Sequence, residues 1–354
     1  VSSNLEEYHQ SLDGQQQDMM TLTDGSIRKG TNWLLDQRED AWSTLKGSRL
    51  RVATTAKSII ALLDHSRPQD IYNSKNQLGD AFRWALEQHD TAKGGFPATT
   101  LQPYSTSIVH CTGMAIYAYV LLCEAGFLDH DENSDEAKRI KQAVNWLLQI
   151  KQPEGWGNWE GQPVRPLSSY WALRALKRIS LLMVPECPID FASELNAFSK
   201  LLDLQKSQKT ESLATSCFFL TLIDELKVNL SEYPRLELLA HESVGKLFRK
   251  RLPEDGLWFD ELEQFNIMEN NQVALVSHWT HHITALAIHA LSVNQKLLEG
   301  RNDQMELLYE SILALINTQK LDGNFDFVPP NINNKITPTY ESLNSLHKVL
   351  DNLF

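Results

Sequence analysis

The stretch QKLDGNF at residues 319–325 decides the fold, because related stretches return along the chain in the same setting. Each follows an apolar segment of helical period and precedes a second apolar segment that opens with Ser or Thr. QPEGW at residues 152–156 follows WLLQ at residues 146–149, and further Gly-aromatic turns occur at residues 94–96 and 256–258. Repetition of this kind predicts one structural unit used several times.

The unit occurs six times, at intervals of roughly 47 to 67 residues, which suits two helices and their loops. The fourth unit, near residues 201–226, lacks the glycine turn. No strand-like alternation is sustained. The sequence therefore predicts an all-α fold, an (α/α)6 toroid in which six helical hairpins form an inner and an outer ring. Residues 1–25 are expected to form a short N-terminal helical extension, and residues 26–354 the toroid domain.

The inner helices should be apolar nearly all round, because both of their faces meet other helices. Residues 115–122 and 283–291 fit this expectation, whereas residues 136–141 carry the charges of an outer helix. Large aromatic side chains in the turns, such as Trp42, Trp156, Trp258 and Phe325, are expected to be structural. The reason is that a buried aromatic ring contributes much of the packing area around it.

Composition excludes several classes of function. The chain has 354 residues, of which 42% are hydrophobic, and a formal net charge of −12. Such a charge repels polyanions, so nucleic acid is not an expected partner. There is no apolar run of about 18 residues, so no membrane span is expected. The four cysteines form no CxxC pair, which favours a reduced, cytoplasmic protein.

The Gln-x-x-Asp-Gly-x-Phe/Trp turn after a Trp-Leu-Leu helix resembles the repeat of the terpenoid cyclase and protein prenyltransferase superfamily. The resemblance is best at residues 319–325 and 146–156, and it covers units one to three, five and six. It implies an α/α toroid whose inner helices surround a cavity for an apolar isoprenoid. It says little about the chemistry, because a fold does not fix a function.

The catalytic motifs of that superfamily are missing from the sequence. Neither Asp-x-Asp-Asp, the acid of class II cyclases, nor Asp-Asp-x-x-Asp, which holds magnesium in diphosphate-ionising cyclases, occurs. Prenyltransferase β subunits ligate zinc through Asp, Cys and His. His281 resembles that histidine and Cys217 lies in the preceding unit, but no Asp-x-Cys accompanies them. The chain is therefore expected to need no cofactor, with zinc as the alternative.

The candidate site residues cluster where the inner helices begin. Three of them are suited to acid–base chemistry, namely His281, Glu211 and Glu341. The others are histidines and aromatic rings that can line a cavity, and arginines that can hold an anionic head group. These candidate ligand-binding residues are His110, Tyr170, Trp171, His278, Trp279, His282, Tyr340, Arg51 and Arg165.

Two functions are left open by these patterns. The missing acid, metal and diphosphate motifs favour a recognition module that binds an apolar small molecule or a protein partner. The histidines and carboxylates near the inner-helix starts favour the alternative, a divergent enzyme. Such an enzyme would be a cyclase-like isomerase or lyase, or a carbohydrate-active protein.

Overall fold

The computed structural model describes residues 2–43, 46–98, 106–129, 131–182, 189–208, 212–258, 263–269, 272–278, 283–325 and 335–354. Helices make up most of this part of the chain. They are α1 (Ser2–Asp36), α2 (Val52–Leu63), α3 (Lys75–Glu87), α4 (Val109–Glu124), α5 (Asp135–Gln149), α6 (Pro166–Leu182), α7 (Phe191–Gln208), α8 (Leu213–Glu225), α9 (Pro234–Lys250), α10 (Ile283–Ser292), α11 (Asn302–Asn317) and α12 (Ile336–Leu353).

The even-numbered helices form a closed inner ring. Each packs against the next even-numbered helix, from α2 with α4 to α10 with α12, and α12 packs back against α2. The odd-numbered helices lie outside, and each contacts at least one inner neighbour. Helix α1 contacts both α11 and α12, which closes the outer layer. The predicted all-α toroid of six helical hairpins is therefore confirmed.

The burial pattern explains which helices lie inside. In α4 every residue from position 111 to 122 is buried, and in α10 all residues of Ile283–Ser292 are buried. The outer helix α5 buries only one stripe, spaced by three or four residues. At Gly113 a Cβ would lie 2.6 Å from the carbonyl oxygen of Trp171. Only glycine lets α4 and α6 approach so closely.

One hydrogen bond recurs where the turn meets the inner helix. The backbone N–H of the turn aromatic donates to a Ser or Thr hydroxyl in the first turn of that helix. The pairs are Trp42–Thr55, Phe96–Thr112, Trp156–Ser169, Trp258–Thr284 and Phe325–Thr339. Three tryptophans also donate their indole N–H to an outer-helix carbonyl. The turn aromatics are thus buried and structural, as expected from the repeat.

The connector between α9 and α10 contains two strands that the sequence pattern did not predict. Strand β1 (Glu263–Glu269) pairs antiparallel with β2 (Gln272–His278), and Glu269 lies opposite Gln272. The sequence pattern missed these strands because each has only seven residues, too few for a sustained alternation. Trp258, which precedes the connector, donates its backbone N–H to the hydroxyl of Thr284 at the start of α10. The connector therefore starts close to the helix that follows it.

Helix α1 runs without a break through residue 25, where the sequence suggested a boundary. It has 35 residues, which makes it about 52 Å long. Ser26 Oγ donates to Gln319 Oε1, and Gln319 Nε2 donates to the Ser26 carbonyl, both at 2.9 Å. The first outer helix is thereby tied to the turn of the last hairpin. The division into an extension and a toroid domain stays a prediction.

Candidate functional site

A small cavity lies at the centre of the inner ring, and five of the six inner helices line it. Its volume is about 20 Å³, which is space for about one water molecule. Aromatic, aliphatic and charged side chains share its wall. We call it the chamber, and its lining residues are Lys57, Ile60, Ala61, Tyr170, Trp171, Arg174, Phe218, Leu286, Tyr340, Glu341 and Asn344.

A buried ion pair lies in the chamber wall. Lys57 Nζ is 2.6 Å from Glu341 Oε1, and each side chain is 8% exposed. Lys57 belongs to α2 and Glu341 to α12, so the pair joins the first and the last inner helix. Burial alone would lower the pKa of Lys57, but the charge of Glu341 outweighs it and the pKa is raised. Lys57 is therefore a fixed positive charge.

Aromatic rings surround this pair. Lys57 Nζ lies 4.8 Å from the ring centre of Tyr340 and 6.0 Å from that of Trp171, within the range of cation–π attraction. Tyr170 stacks on Phe218 with ring centres 4.4 Å apart. Burial raises the pKa of both tyrosines, so their hydroxyls stay protonated. The charged groups in the wall are Lys57, Arg174 and Glu341. The rest of the lining is aromatic or aliphatic, apart from the neutral amide of Asn344.

Asn344 adds an incompletely bonded polar group to the wall. Its Nδ2 lies 3.4 Å from Nδ1 of His289. Burial lowers the pKa of His289 to about 3, so this imidazole is neutral near pH 7. Asn344 Oδ1 is buried and has no hydrogen-bond donor among the described residues. The chamber wall therefore holds an acceptor without a donor.

A second charged cluster lies toward the ends of the inner helices. We call it the base network, and its members are Asp64, Tyr117, Arg174, Glu225 and Lys348. Arg174 Nη2 is 3.2 Å from Asp64 Oδ2, and Arg174 Nε donates to Glu225 Oε1 at 3.1 Å. Tyr117 donates to Asp64 at 3.1 Å, and Lys348 Nζ lies 3.3 Å from Asp64 Oδ1.

The charges of the base network balance one another. Burial alone would raise the pKa of the Asp64 carboxyl, but the positive charges of Lys348 and Arg174 outweigh it and lower that pKa. Arg174 Nη1 also lies 3.1 Å from the hydroxyl of Tyr170, which connects the network to the chamber. The ring axis is thus polar from the chamber to the ends of the helices.

The structure brings four of the candidate residues together in the chamber wall, namely Glu341, Tyr170, Trp171 and Tyr340. Lys57 and Arg174 also line it and were missed in the sequence. For Lys57 the available signal was a basic residue inside an otherwise apolar inner helix, because such a charge is rarely buried without a partner. Arg174 had no such signal, since α6 also contains Lys177 and Arg178. Which partner each would find is not visible in the sequence.

The other candidates do not line the chamber or lie outside the described residues. His110 is in the first turn of α4, while Arg51 and Arg165 directly precede α2 and α6. None of these three is part of the chamber lining. Residue His278 ends strand β2. Glu211, Trp279, His281 and His282 fall outside the described residues, so their predicted roles stay predictions.

The part of the chain that the structure describes has neither a cluster of metal ligands nor a membrane-spanning helix. There, no group of three or more His, Cys, Asp or Glu side chains is arranged to hold a metal ion. His281, on which the zinc alternative depends, lies outside that part. No helix among the described residues is both long and apolar enough to cross a bilayer.

Comparison with known proteins supports the fold. No protein-family model and no curated protein sequence matches the chain. A polysaccharide lyase superposes with a TM-score of 0.62 at 10% identity, over 95% of this chain and 98% of the lyase. A glycosyl hydrolase of family 88 from Bacteroides vulgatus also superposes with a TM-score of 0.62 at 10% identity, over 94% of this chain and 99% of the hydrolase.

A terpene cyclase shares the same architecture. A variant of the type II terpene cyclase MstE from Scytonema, in complex with the substrate geranylgeranyl dihydroxybenzoate, has a TM-score of 0.55 at 13% identity, over 94% of this chain and 99% of the cyclase. At such low identities the likeness shows the fold alone. The chain has an α/α toroid fold that is also found in carbohydrate-active enzymes and in a terpene cyclase.

Proposed function

We propose that this toroid binds a small amphipathic molecule at the centre of its ring. The polar end of the ligand enters the chamber, and the apolar body lies toward the end of the ring where the inner helices begin. The observation that carries the proposal is the buried Lys57–Glu341 pair beside a cavity with aromatic walls. Ligand sites are typically apolar and aromatic, with a few placed polar groups that fix orientation.

The position of the aromatic rings sets the direction of the ligand. Tyr170 and Tyr340 lie near the starts of α6 and α12, whereas the base network contains Asp64 and Glu225 at the ends of α2 and α8. The chamber itself has room for one small group. An apolar body therefore finds its partners on the side of the helix starts.

The electrostatics of the chamber favour binding over carbocation chemistry. In a carbocation mechanism, aromatic faces stabilise a positive intermediate. Here Lys57 already lies over the faces of Tyr340 and Trp171. Arg174, which also lines the cavity, adds a second positive charge that repels a cation. Since Lys57 keeps its proton, it also offers no general base.

An enzyme that works in the same chamber is the second candidate, with Glu341 as its proton-transferring group. It is supported by the activities of similar toroids, a polysaccharide lyase, a glycosyl hydrolase and a terpene cyclase. Incubation of the full chain with geranylgeranyl dihydroxybenzoate tests it. The binding proposal expects the compound to be unchanged in chromatography. A cyclised isomer that disappears with Glu341→Gln would establish the enzyme instead.

Filling the chamber tests the binding proposal directly. Ala61 lines the cavity, so Ala61→Met should occupy the space without removing a charge. Benzyl alcohol, which has a ring and one polar end, serves as the probe, and ligand-detected NMR measures its binding to the full chain. We expect binding by the wild type and its loss in Ala61→Met.

The matched control is Ala192→Met, because Ala192 lies in the first turn of the outer helix α7 and is not part of the chamber. This variant should bind benzyl alcohol as the wild type does. Thermal unfolding of both variants checks that they are folded, since overpacking costs about 1–3 kcal/mol. Equal binding by a folded Ala61→Met would contradict the proposal.

A further inference from the structure

We infer that the polar end of the ligand is a hydroxyl group, which donates to Asn344 Oδ1 and accepts from Lys57 Nζ. This inference rests on the proposed ligand-binding function and names the class of ligand, an alcohol or a phenol. It follows from the hydrogen-bonding capacity that the chamber wall leaves unused. His289, which does not line the chamber, acts as a positioning residue for Asn344.

The Asn344 amide turns its nitrogen toward His289. Asn344 Nδ2 lies 3.4 Å from His289 Nδ1, and an amide nitrogen can only donate. His289 Nδ1 is therefore the acceptor, and the imidazole carries its proton on Nε2. The ring is 3% exposed, and burial keeps it neutral by lowering its pKa to about 3. A neutral ring preserves the acceptor that holds Nδ2.

Because Nδ2 is held by His289, the carbonyl side of the amide is left for another partner. Asn344 Oδ1 is buried and has no donor among the described residues. A buried acceptor without a donor has lost its water partners and gained nothing in return, so it binds any group that can donate to it. Asn344 lines the chamber, which makes the ligand that donor.

Lys57 sets the opposite requirement. An ammonium group has three hydrogens and no acceptor. Lys57 Nζ lies 2.6 Å from Glu341 Oε1 and also hydrogen-bonds to the side chain of Tyr340, which leaves one hydrogen for another oxygen that accepts. The group that enters the chamber must therefore donate on one side and accept on the other.

Other polar ends fail one of the two requirements. A carboxylate or a phosphate offers only acceptors when ionised, so it places negative oxygens against Asn344 Oδ1 and Glu341. An ammonium offers only donors and faces Lys57 and Arg174. An ether accepts but cannot donate. A hydroxyl does both with one oxygen, and the chamber has room for a group of that size.

A matched series of probes on one frame tests the inference. The compounds are benzyl alcohol, benzyl methyl ether, benzoate and benzylamine, and calorimetry on the full chain compares their affinities. We expect benzyl alcohol to bind about tenfold more tightly than the ether, because one hydrogen bond to a buried acceptor is worth about that factor. Benzoate and benzylamine should bind more weakly than the alcohol.

Variants of α12 and α10 locate the source of that preference. Asn344→Leu should bring the alcohol and the ether to equal affinity. Asn352→Leu, an exposed asparagine on the same helix, should keep the tenfold ratio. His289→Leu should reduce the ratio although it does not touch the ligand, and His289→Gln should retain it because the glutamine carbonyl can accept from Asn344 Nδ2.

The outcomes separate this inference from the proposed function. If the alcohol and the ether bind the wild type equally, or if a folded Asn344→Leu keeps the preference, the hydroxyl assignment is wrong while chamber binding stands. If none of the four compounds binds, the proposed function fails and the inference fails with it. Circular dichroism shows whether each variant is folded.

Discussion

The chamber and the base network both contain buried charges, yet they differ in how completely their polar groups are hydrogen-bonded. In the base network Arg174 donates to both Asp64 and Glu225, and Lys348 adds a second positively charged partner for Asp64. The chamber instead has one ion pair beside a cavity and one acceptor without a donor, Asn344 Oδ1.

The difference indicates a division of roles along the axis. The base network directs its hydrogen bonds to its own members, which come from α2, α4, α6, α8 and α12, so it fixes these helices relative to one another. The chamber keeps part of its hydrogen-bonding capacity open, which costs stability but allows a ligand to bind. A buried polar cluster with open hydrogen-bonding capacity, such as the chamber, is a candidate site. A cluster whose members bind one another, such as the base network, is a structural element.

The largest effect is expected from breaking the base network. Arg174→Met leaves Asp64 and Glu225 buried beside each other with less positive charge. Removing one partner of a buried ion network costs about 3–5 kcal/mol, so the free energy of unfolding in urea should fall by that amount. Arg235→Met is the control, because its pair with Asp203 is exposed and is worth less than about 1 kcal/mol. If both variants lost a similar amount of unfolding free energy, the base network would have no special structural role.

The chamber pair should be replaceable where the base network is not. Lys57→Met alone leaves the buried Glu341 carboxylate without its lysine, which costs about 3 kcal/mol. Combined with Glu341→Leu, the loss should shrink to less than about 1.5 kcal/mol, because an apolar pair of similar size fills the same space. Urea unfolding of both single variants and the double variant measures this coupling. A double variant as unstable as the sum of the singles would show that the pair is structural too.

Acidification should affect the two regions in different pH windows. Burial lowers the pKa of His289 from 6.5 to about 3, so the unfolded chain binds a proton first as the pH falls. The contribution of neutral His289 to the free energy of unfolding is complete above about pH 6.5. Below that pH it decreases by up to about 1.4 kcal/mol per pH unit. The Asp64 carboxyl, whose pKa is lowered from 3.8, contributes stability above that value and loses it only in stronger acid.

The variant His289→Gln separates these windows. Between pH 6.5 and pH 5 it should lose about 2 kcal/mol less than the wild type, as measured by urea unfolding at each pH. Below about pH 3, where His289 also takes up a proton in the folded protein, the two proteins should behave more alike, since the base carboxylates remain in both. The same pH dependence in wild type and variant throughout would mean that His289 is not held neutral in the folded protein.

Much of the fold was predictable because the repeat is local. The QKLDGNF stretch and its relatives mark each turn, and a Ser or Thr in the next helix supplies the hydroxyl that binds the turn. The hairpin of β1 and β2 was missed because its two apolar runs are short and lie within a connector. Nothing in the repeat itself required strands at this position.

The site was less predictable because its contacts are distant in sequence. Tyr340 and Glu341 were found because they lie near the start of an inner helix. Lys57 was not found, since its partner Glu341 is 284 residues away and only ring closure brings them together. The unpartnered Asn344 Oδ1 depends on a side-chain orientation that His289 sets, and a sequence pattern carries no such information.

The most direct test is a crystal structure of the full chain with 4-bromobenzyl alcohol. We expect a bromine anomalous peak on the side of Tyr170 and Tyr340, with the hydroxyl oxygen within hydrogen-bonding distance of Asn344 Oδ1 and Lys57 Nζ. Bromine found only on the outer surface of the ring, with the chamber side chains closed on one another, would contradict it.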